Sequence, residues 1–159
     1  MAGGTFSTIK ESCQRLAVLL LAALGDKQHH QSDDAQASRF AAQAYAALVL
    51  ARQQKAPLGA LRELWDRHEQ SRSGLSLMQL GIALKAMGDA PRSEQAIQLA
   101  LTTKRADASR WLADYGSTLR DNALMLSLLE ENKLLPDVQN MLLQTLSEEA
   151  FGERWLSTQ

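Results

Sequence analysis

Cysteine, proline and aromatic residues are all scarce in this 159-residue chain. Cys13 is the only cysteine, so no disulfide can form within the chain. Three prolines, 5% aromatic residues and abundant alanine and leucine indicate helices and exclude a sheet. The sequence therefore predicts an all-α fold.

Neither an excess of charge nor a long apolar run is present. The 17 basic and 18 acidic residues leave a net charge of -1, which gives no electrostatic footprint for nucleic acid or an anionic membrane. The longest apolar run, residues 16–24, is far shorter than the roughly 18 residues of a membrane span. It could pass for the core of a secretory signal, but Glu11 and the long lead-in favour a structural helix.

Apolar residues recur at helical spacing in seven segments separated by glycine and proline. Thr8 and Glu11 have capping-box spacing for the first helix, Asp89 is the predicted cap of the fifth, and Pro91 lies in its first turn. The predicted helices are about residues 8–24, 32–54, 58–68, 75–87, 89–101, 118–130 and 137–146.

The sharpest boundary between a loop and a helix lies at residues 111–121. Gly116 permits positive φ, and with Thr118 as N-cap Asp121 stands at the position of a capping-box acid. The helix that follows is apolar in nearly every direction, which is typical of a central, buried helix.

The run Trp-Leu-Ala-Asp-Tyr-Gly-Ser-Thr-Leu-Arg-Asp-Asn-Ala-Leu that begins at Trp111 resembles the thioester domain of bacterial alpha-2-macroglobulins. Residues 40–52 and 151–159 extend the resemblance, which covers about residues 32–159 and leaves residues 1–31 as an unmatched helix and loop. It implies a partial α/α toroid of antiparallel helical hairpins, in which residues 118–130 form an inner helix and residues 136–146 an outer one.

The resemblance also implies a function, that of a fragment of a covalent protease trap. The family members are periplasmic, anchored to the inner membrane by lipid, and capture proteases through a Cys-x-x-Gln thioester. Here Leu16 stands three residues after Cys13, so the thioester motif is absent from the chain. The implied partners are proteases and the other domains of the full-length parent, and no enzyme activity, cofactor or metal is expected.

Few residues qualify as a functional site. The resemblance places Asp114 and Tyr115 near the thioester of the parent, although packing of Tyr115 and capping or pairing of Asp114 is the favoured reading. His29 and His30 are adjacent, which suits a metal poorly, and Cys13 is interpreted as a core thiol. No catalytic residues are predicted.

Two other classes of function were weighed. Residues 80–101 imitate one tetratricopeptide hairpin, which would make the chain an adaptor for a peptide or protein partner, but no repeat follows. An α/α toroid also suits a glycosidase, and the missing acidic pair argues against one.

The first helix is expected to cover apolar surface left open by the missing part of the toroid. It would do so within the chain or by exchange with a second copy, which makes self-association of the fragment a further expectation.

Overall fold

Seven α-helices and one short 3-10 helix make up the part of the chain that the structure, a computed structural model, describes. That part is residues 3–25, 32–105 and 116–151, with side chains of the first helix described from Gln14 onward, and no strand occurs in it. The all-α prediction is confirmed. The elements are α1 (Gly3–Leu24), α2 (Asp33–Arg52), α3 (Leu58–Trp65), the 3-10 helix His68–Gln70, α4 (Gly74–Ala86), α5 (Ala90–Thr102), α6 (Thr118–Glu131) and α7 (Pro136–Phe151).

Helix α4 is the centre of the fold. It packs against α2, α3, α5 and α6, and its residues from Gly74 to Leu84 are buried with the sole exception of Gln79. Because neighbours cover α4 on several sides, a helix that is apolar all round is stable in this position. The core that surrounds it includes Phe40, Leu50, Leu61, Leu64 and Leu129.

The prediction that α6 is the central helix is wrong for the described chain. Its buried residues are Asp121, Met125, Leu128 and Leu129, whereas Leu124 is 43% exposed. Its principal contacts are with α4 and α7, so its remaining directions are not covered by the described helices. An apolar pattern shows that a helix tolerates burial, but only neighbours on every side provide it.

Helices α4 and α5 approach each other closely at two glycines of α4. A Cβ on Gly81 would lie 2.8 Å from Cγ1 of Ile97 and 3.2 Å from Cβ of Ala96, and one on Gly74 would overlap the carbonyl oxygen of Ala100. Glycines seven residues apart share one helix face, so this face of α4 can approach the backbone of α5 closely. As predicted, Asp89 caps α5 and Pro91 lies in its first turn.

Helix α1 begins at Gly3, so Thr8 and Glu11 lie inside it and the predicted capping box at its start is wrong. It packs on α2 in the same chain and buries Ala17 and Leu24. Nε2 of Gln43 donates hydrogen bonds to the carbonyl oxygens of Ala23 (2.9 Å) and Leu24 (3.3 Å). The other face of α1 is exposed, and exchange with a second copy stays a prediction.

The remaining boundaries agree with the sequence to within a few residues, with α7 as the main difference. Ser32 caps α2, and its hydroxyl accepts a hydrogen bond from the Ala35 amide at 3.4 Å. Helix α7 continues to Phe151, beyond the predicted end near residue 146, and Leu142 is its one buried residue. None of the described helices combines the length and the apolar character needed to cross a bilayer. Closure of the hairpins into a toroid stays a prediction.

Asp89 joins α3 to α5. Its carboxylate accepts hydrogen bonds from Nε of Arg62 (2.7 Å), Nη1 of Arg92 (3.2 Å) and the Arg92 amide (3.5 Å). The hydrogen bond from Arg62 lowers the pKa of Asp89 below its usual value, the Arg92 amide adds to this, and partial desolvation opposes it. The charged form of Asp89 therefore stabilises the fold.

We predict that Gly81→Ala lowers the free energy of unfolding by about 1–3 kcal/mol, because the new methyl group overpacks the contact with Ile97. Gly59→Ala in α3 is the matched control, since a Cβ there meets nothing within 4 Å and a helical alanine should stabilise by about 0.5–1 kcal/mol. Denaturant unfolding measures both. Equal stability of the two variants would contradict the packing described.

We predict that Asp89→Asn lowers the thermal unfolding midpoint at pH 7 more than Asp33→Asn, which changes an exposed acid in the first turn of α2. A carboxyl with a lowered pKa in the folded state contributes its stability above the unfolded pKa of roughly 3.9 and loses it as pH falls through the folded value. The difference between the original chain and Asp89→Asn should therefore shrink below about pH 4. A difference that grows in acid would refute the assignment.

Candidate functional site

The residues singled out from the sequence lie mostly outside the described residues. This is true of Asp114, Tyr115, His29 and His30, so their roles stay predictions. Cys13 lies in α1, but its side chain is outside the described part. Among the residues that the structure does describe, no group of three His, Cys, Asp or Glu side chains is placed to hold a metal ion.

The structure does show the two ends of the segment that carries Asp114 and Tyr115. Nη1 of Arg105 lies 2.6 Å from Oδ2 of Asp121, and only 10% and 5% of these side chains are exposed. A Cβ on Gly116 would overlap the Arg105 guanidinium, so a larger residue there requires the Arg105 side chain to move. The ion pair and the glycine together hold residue 105, residue 116 and the start of α6 in contact.

This arrangement corrects the predicted capping box. Ser117, rather than Thr118, is the N-cap of α6, and its hydroxyl accepts a hydrogen bond from the Arg120 amide at 3.2 Å. Asp121 is then one residue beyond the capping-box position, and its carboxylate pairs with Arg105 instead. Two adjacent hydroxyl residues precede the helix and both suit a cap, so spacing alone does not choose between them, and it does not give the position of Arg105.

A cleft of about 430 Å³ opens beside this ion pair, between α2 and the N-terminal ends of α4 and α6. Small side chains of α2 form one wall, and the larger apolar groups are Tyr45, Leu75 and Leu124. The apolar spacing of α2 predicts Tyr45 on its buried face, but Tyr45 is 56% exposed and lines this cleft. The remaining lining residues are Ala37, Ser38, Ala41, Ala42, Arg72, Ser73, Ser76, Gln79, Arg120 and Asp121.

Among the described lining residues positive charge predominates. Arg72 and Arg120 are the cations of this set and Asp121 is its one anion, whose Oδ1 lies 3.5 Å from Nη2 of Arg120 and whose Oδ2 pairs with Arg105. Nη1 of Arg72 reaches the Glu69 carbonyl oxygen only at 3.5 Å, and its buried Nε has no hydrogen-bond partner in the described structure. A buried donor without an acceptor costs about 1–3 kcal/mol.

Ser76 of the cleft is engaged with neighbouring serines. Its hydroxyl lies 2.6 Å from that of Ser71, and both hydroxyls lie within 3.0 Å of the Ser73 carbonyl oxygen, so one of them donates to this carbonyl and the other donates to its neighbour or to the same carbonyl. The Ser73 side chain does not cap α4. The cleft therefore offers guanidinium groups and apolar surface, which suit binding of an acidic group rather than catalysis.

Sequence reasoning missed Arg72 and Arg120 as a pair. The two arginines are far apart in the sequence, so spacing alone does not bring them together. The available signal was an arginine at the start of each of two apolar helices, one just ahead of α4 and one in the first turn of α6, which the fold then packs together.

Comparison of the sequence with known proteins shows which proteins contain a similar segment. The chain is 70% identical to the alpha-2-macroglobulin of Escherichia coli K12 over 129 residues, which cover 80% of the chain and 8% of that protein. It is 36% identical to the alpha-2-macroglobulin of Xylella fastidiosa Temecula1 over 96% of the chain and 10% of that protein. The latter alignment extends into residues 1–31. No family model matches the chain.

Solved structures agree with the sequence relatives. Native E. coli alpha-2-macroglobulin from domain MG7 to the C-terminus superposes with a TM-score of 0.80 at 64% identity, over 89% of this chain and 23% of that one. The Y1175G mutant of the Salmonella protein gives a TM-score of 0.85 at 66% identity, over 93% of this chain and 10% of that one.

The chain is thus an all-α segment of the kind found within a much larger protein, and it spans about a tenth of the length of the curated relatives it matches. It belongs to the bacterial alpha-2-macroglobulin family. The α4–α5 hairpin that imitates a tetratricopeptide repeat lies within a segment of this family.

We predict that Gly116→Ala destabilises the chain by displacing Arg105 from Asp121. Gly116→Ala and Asp121→Asn should then couple, so that the double variant loses about 0.5–3 kcal/mol less than the sum of the single losses. Denaturant unfolding of the four proteins measures the coupling. Gly25→Ala, where a Cβ makes only ordinary contacts, is the control; strict additivity would show that the glycine and the ion pair act separately.

Proposed function

We propose that the chain is the later part of the thioester domain of an alpha-2-macroglobulin-like protease inhibitor, which captures proteases covalently in its full-length form. The observation that carries this proposal is the 70% identity with the E. coli protein over most of the chain. Two of the solved structures that the chain resembles are of the E. coli protein activated by trypsin and by porcine elastase.

In this proposal the chain has a scaffold role and is not an enzyme. Its only cysteine lacks a glutamine three residues on, so the reactive Cys-x-x-Gln pair would come from the part of the parent that precedes it. Proteases and the other domains of the parent are then its partners, and the periplasm, with attachment of the parent to the inner membrane, is its place of action.

The exposed apolar residues of α6 and α7 support this role. Leu124, Met141 and Leu143 are each more than two-fifths exposed, although they lie on regular helices beside the core. Exposed apolar residues mark a contact with another surface where they are covered in a larger protein. In this proposal another part of the parent covers Met141 and Leu143 of α7, whereas Leu124 faces the cleft described above.

A chimera tests the proposal. The matched segment of E. coli alpha-2-macroglobulin is replaced by the corresponding residues of this chain, and the purified protein is incubated with trypsin. We expect an adduct of trypsin and inhibitor that survives a denaturing gel, and no adduct when the chimera is treated with methylamine before trypsin is added, because an amine nucleophile opens a thioester. A chimera that unfolds at the temperature of the E. coli protein but forms no adduct would overturn the proposal.

The isolated chain supplies the complementary measurement. Because it has no thioester pair, incubation with trypsin should give cleavage products or unchanged protein. A covalent species of higher mass would contradict the scaffold role.

A further inference from the structure

We propose that the cleft between α2, α4 and α6 binds a polypeptide segment that presents an acidic side chain next to an apolar one. This inference does not depend on the proposed function, because it rests on the described residues of the cleft alone.

The acidic preference follows from Arg72. Asp121 pairs with Arg105 at 2.6 Å and with Arg120 at 3.5 Å, whereas Arg72 makes no ion pair with the described residues. The outer nitrogens of Arg72 make one hydrogen bond, at 3.5 Å to the Glu69 carbonyl oxygen, and its buried Nε makes none with the described residues. A carboxylate fits a guanidinium through paired, charge-assisted hydrogen bonds and would supply the acceptors that this group lacks.

The apolar preference follows from the walls. Tyr45 and Leu124 are among the most exposed large apolar residues beside the core, and both line this cleft rather than being scattered over the surface. Ala37, Ala41 and Ala42 on α2 keep the opposite wall low, so an incoming side chain can reach between them. Tyrosine and arginine are also the residue types that contribute most at protein interfaces.

The size of the cleft suits a short stretch of polypeptide. A volume of about 430 Å³ is within the range of pockets that enclose a ligand, and it exceeds the space that a single carboxylate needs. An acid alone would leave Tyr45 and Leu124 in contact with water, whereas an acid beside an apolar side chain covers both parts of the cleft.

The test is a titration of the isotope-labelled full chain with two short blocked peptides, followed by nuclear magnetic resonance. One peptide has leucine beside glutamate, and the other has glutamine in place of the glutamate. We expect saturable shifts of the Arg72 Nε–H signal and of the Tyr45 and Leu124 signals with the glutamate peptide. The glutamine peptide should bind about tenfold more weakly, because it cannot form charge-assisted hydrogen bonds.

Variants separate Arg72 from general charge. Arg72→Gln should reduce the affinity for the glutamate peptide toward that for the glutamine peptide, whereas Arg15→Gln, an exposed position on α1, should leave it unchanged. Thermal unfolding of each variant confirms that it is folded before the titration is interpreted.

Four results would overturn the proposal. The first is equal binding of the two peptides, and the second is an equal loss of affinity with Arg15→Gln. The third is a set of shifts in Tyr45 and Leu124 that appears on concentrating the chain without peptide, which would assign the cleft to a second copy. If inorganic phosphate reproduces the shifts and the affinity of the glutamate peptide, the cleft is a small-anion site and the peptide proposal is wrong.

Discussion

Close packing of α4 on α5 is the constraint on which the rest of the fold depends. At Gly74 and Gly81 a single Cβ would meet Ala100 and Ile97 at distances that real side chains do not occupy. This approach buries the α5 side of α4 and leaves its other sides for α2, α3 and α6. The helices α2 and α6 on either side of the cleft are therefore placed by α4, and the position of α4 depends on glycine at both Gly74 and Gly81.

Buried polar side chains that hydrogen-bond to residues outside their own helix restrict how the helices can pack. Gln43 links α2 to the end of α1 and accepts a hydrogen bond from Arg67, Asp89 links α3 to α5, and Asp121 links α6 to Arg105. Each polar group is buried and has a partner on another element, so shifting a helix would leave an unpaired group in the core. Apolar contacts stabilise the bundle, and these groups fix which helix contacts which.

The helices were predictable because their signals are local. The cap at Asp89, Pro91 in the first turn of α5, and the apolar spacing of residues 75–87 act within a few residues, and the structure places those elements as expected. The choice of central helix was not local. Residues 118–130 and 74–86 are both apolar in many directions, and only the arrangement of neighbours decides that α4 is surrounded while α6 is not. The cleft was missed for the same reason, since Arg72 and Arg120 meet only after α4 and α6 have packed.

The contact among Arg105, Gly116 and Asp121 joins separate points of the chain at the start of α6. The two described positions on either side of residues 106–115 lie against each other and against the first turn of this helix. The ion pair is therefore a non-covalent cross-link between positions 16 apart in the sequence, and its free energy must exceed the entropy lost on closing that stretch of chain.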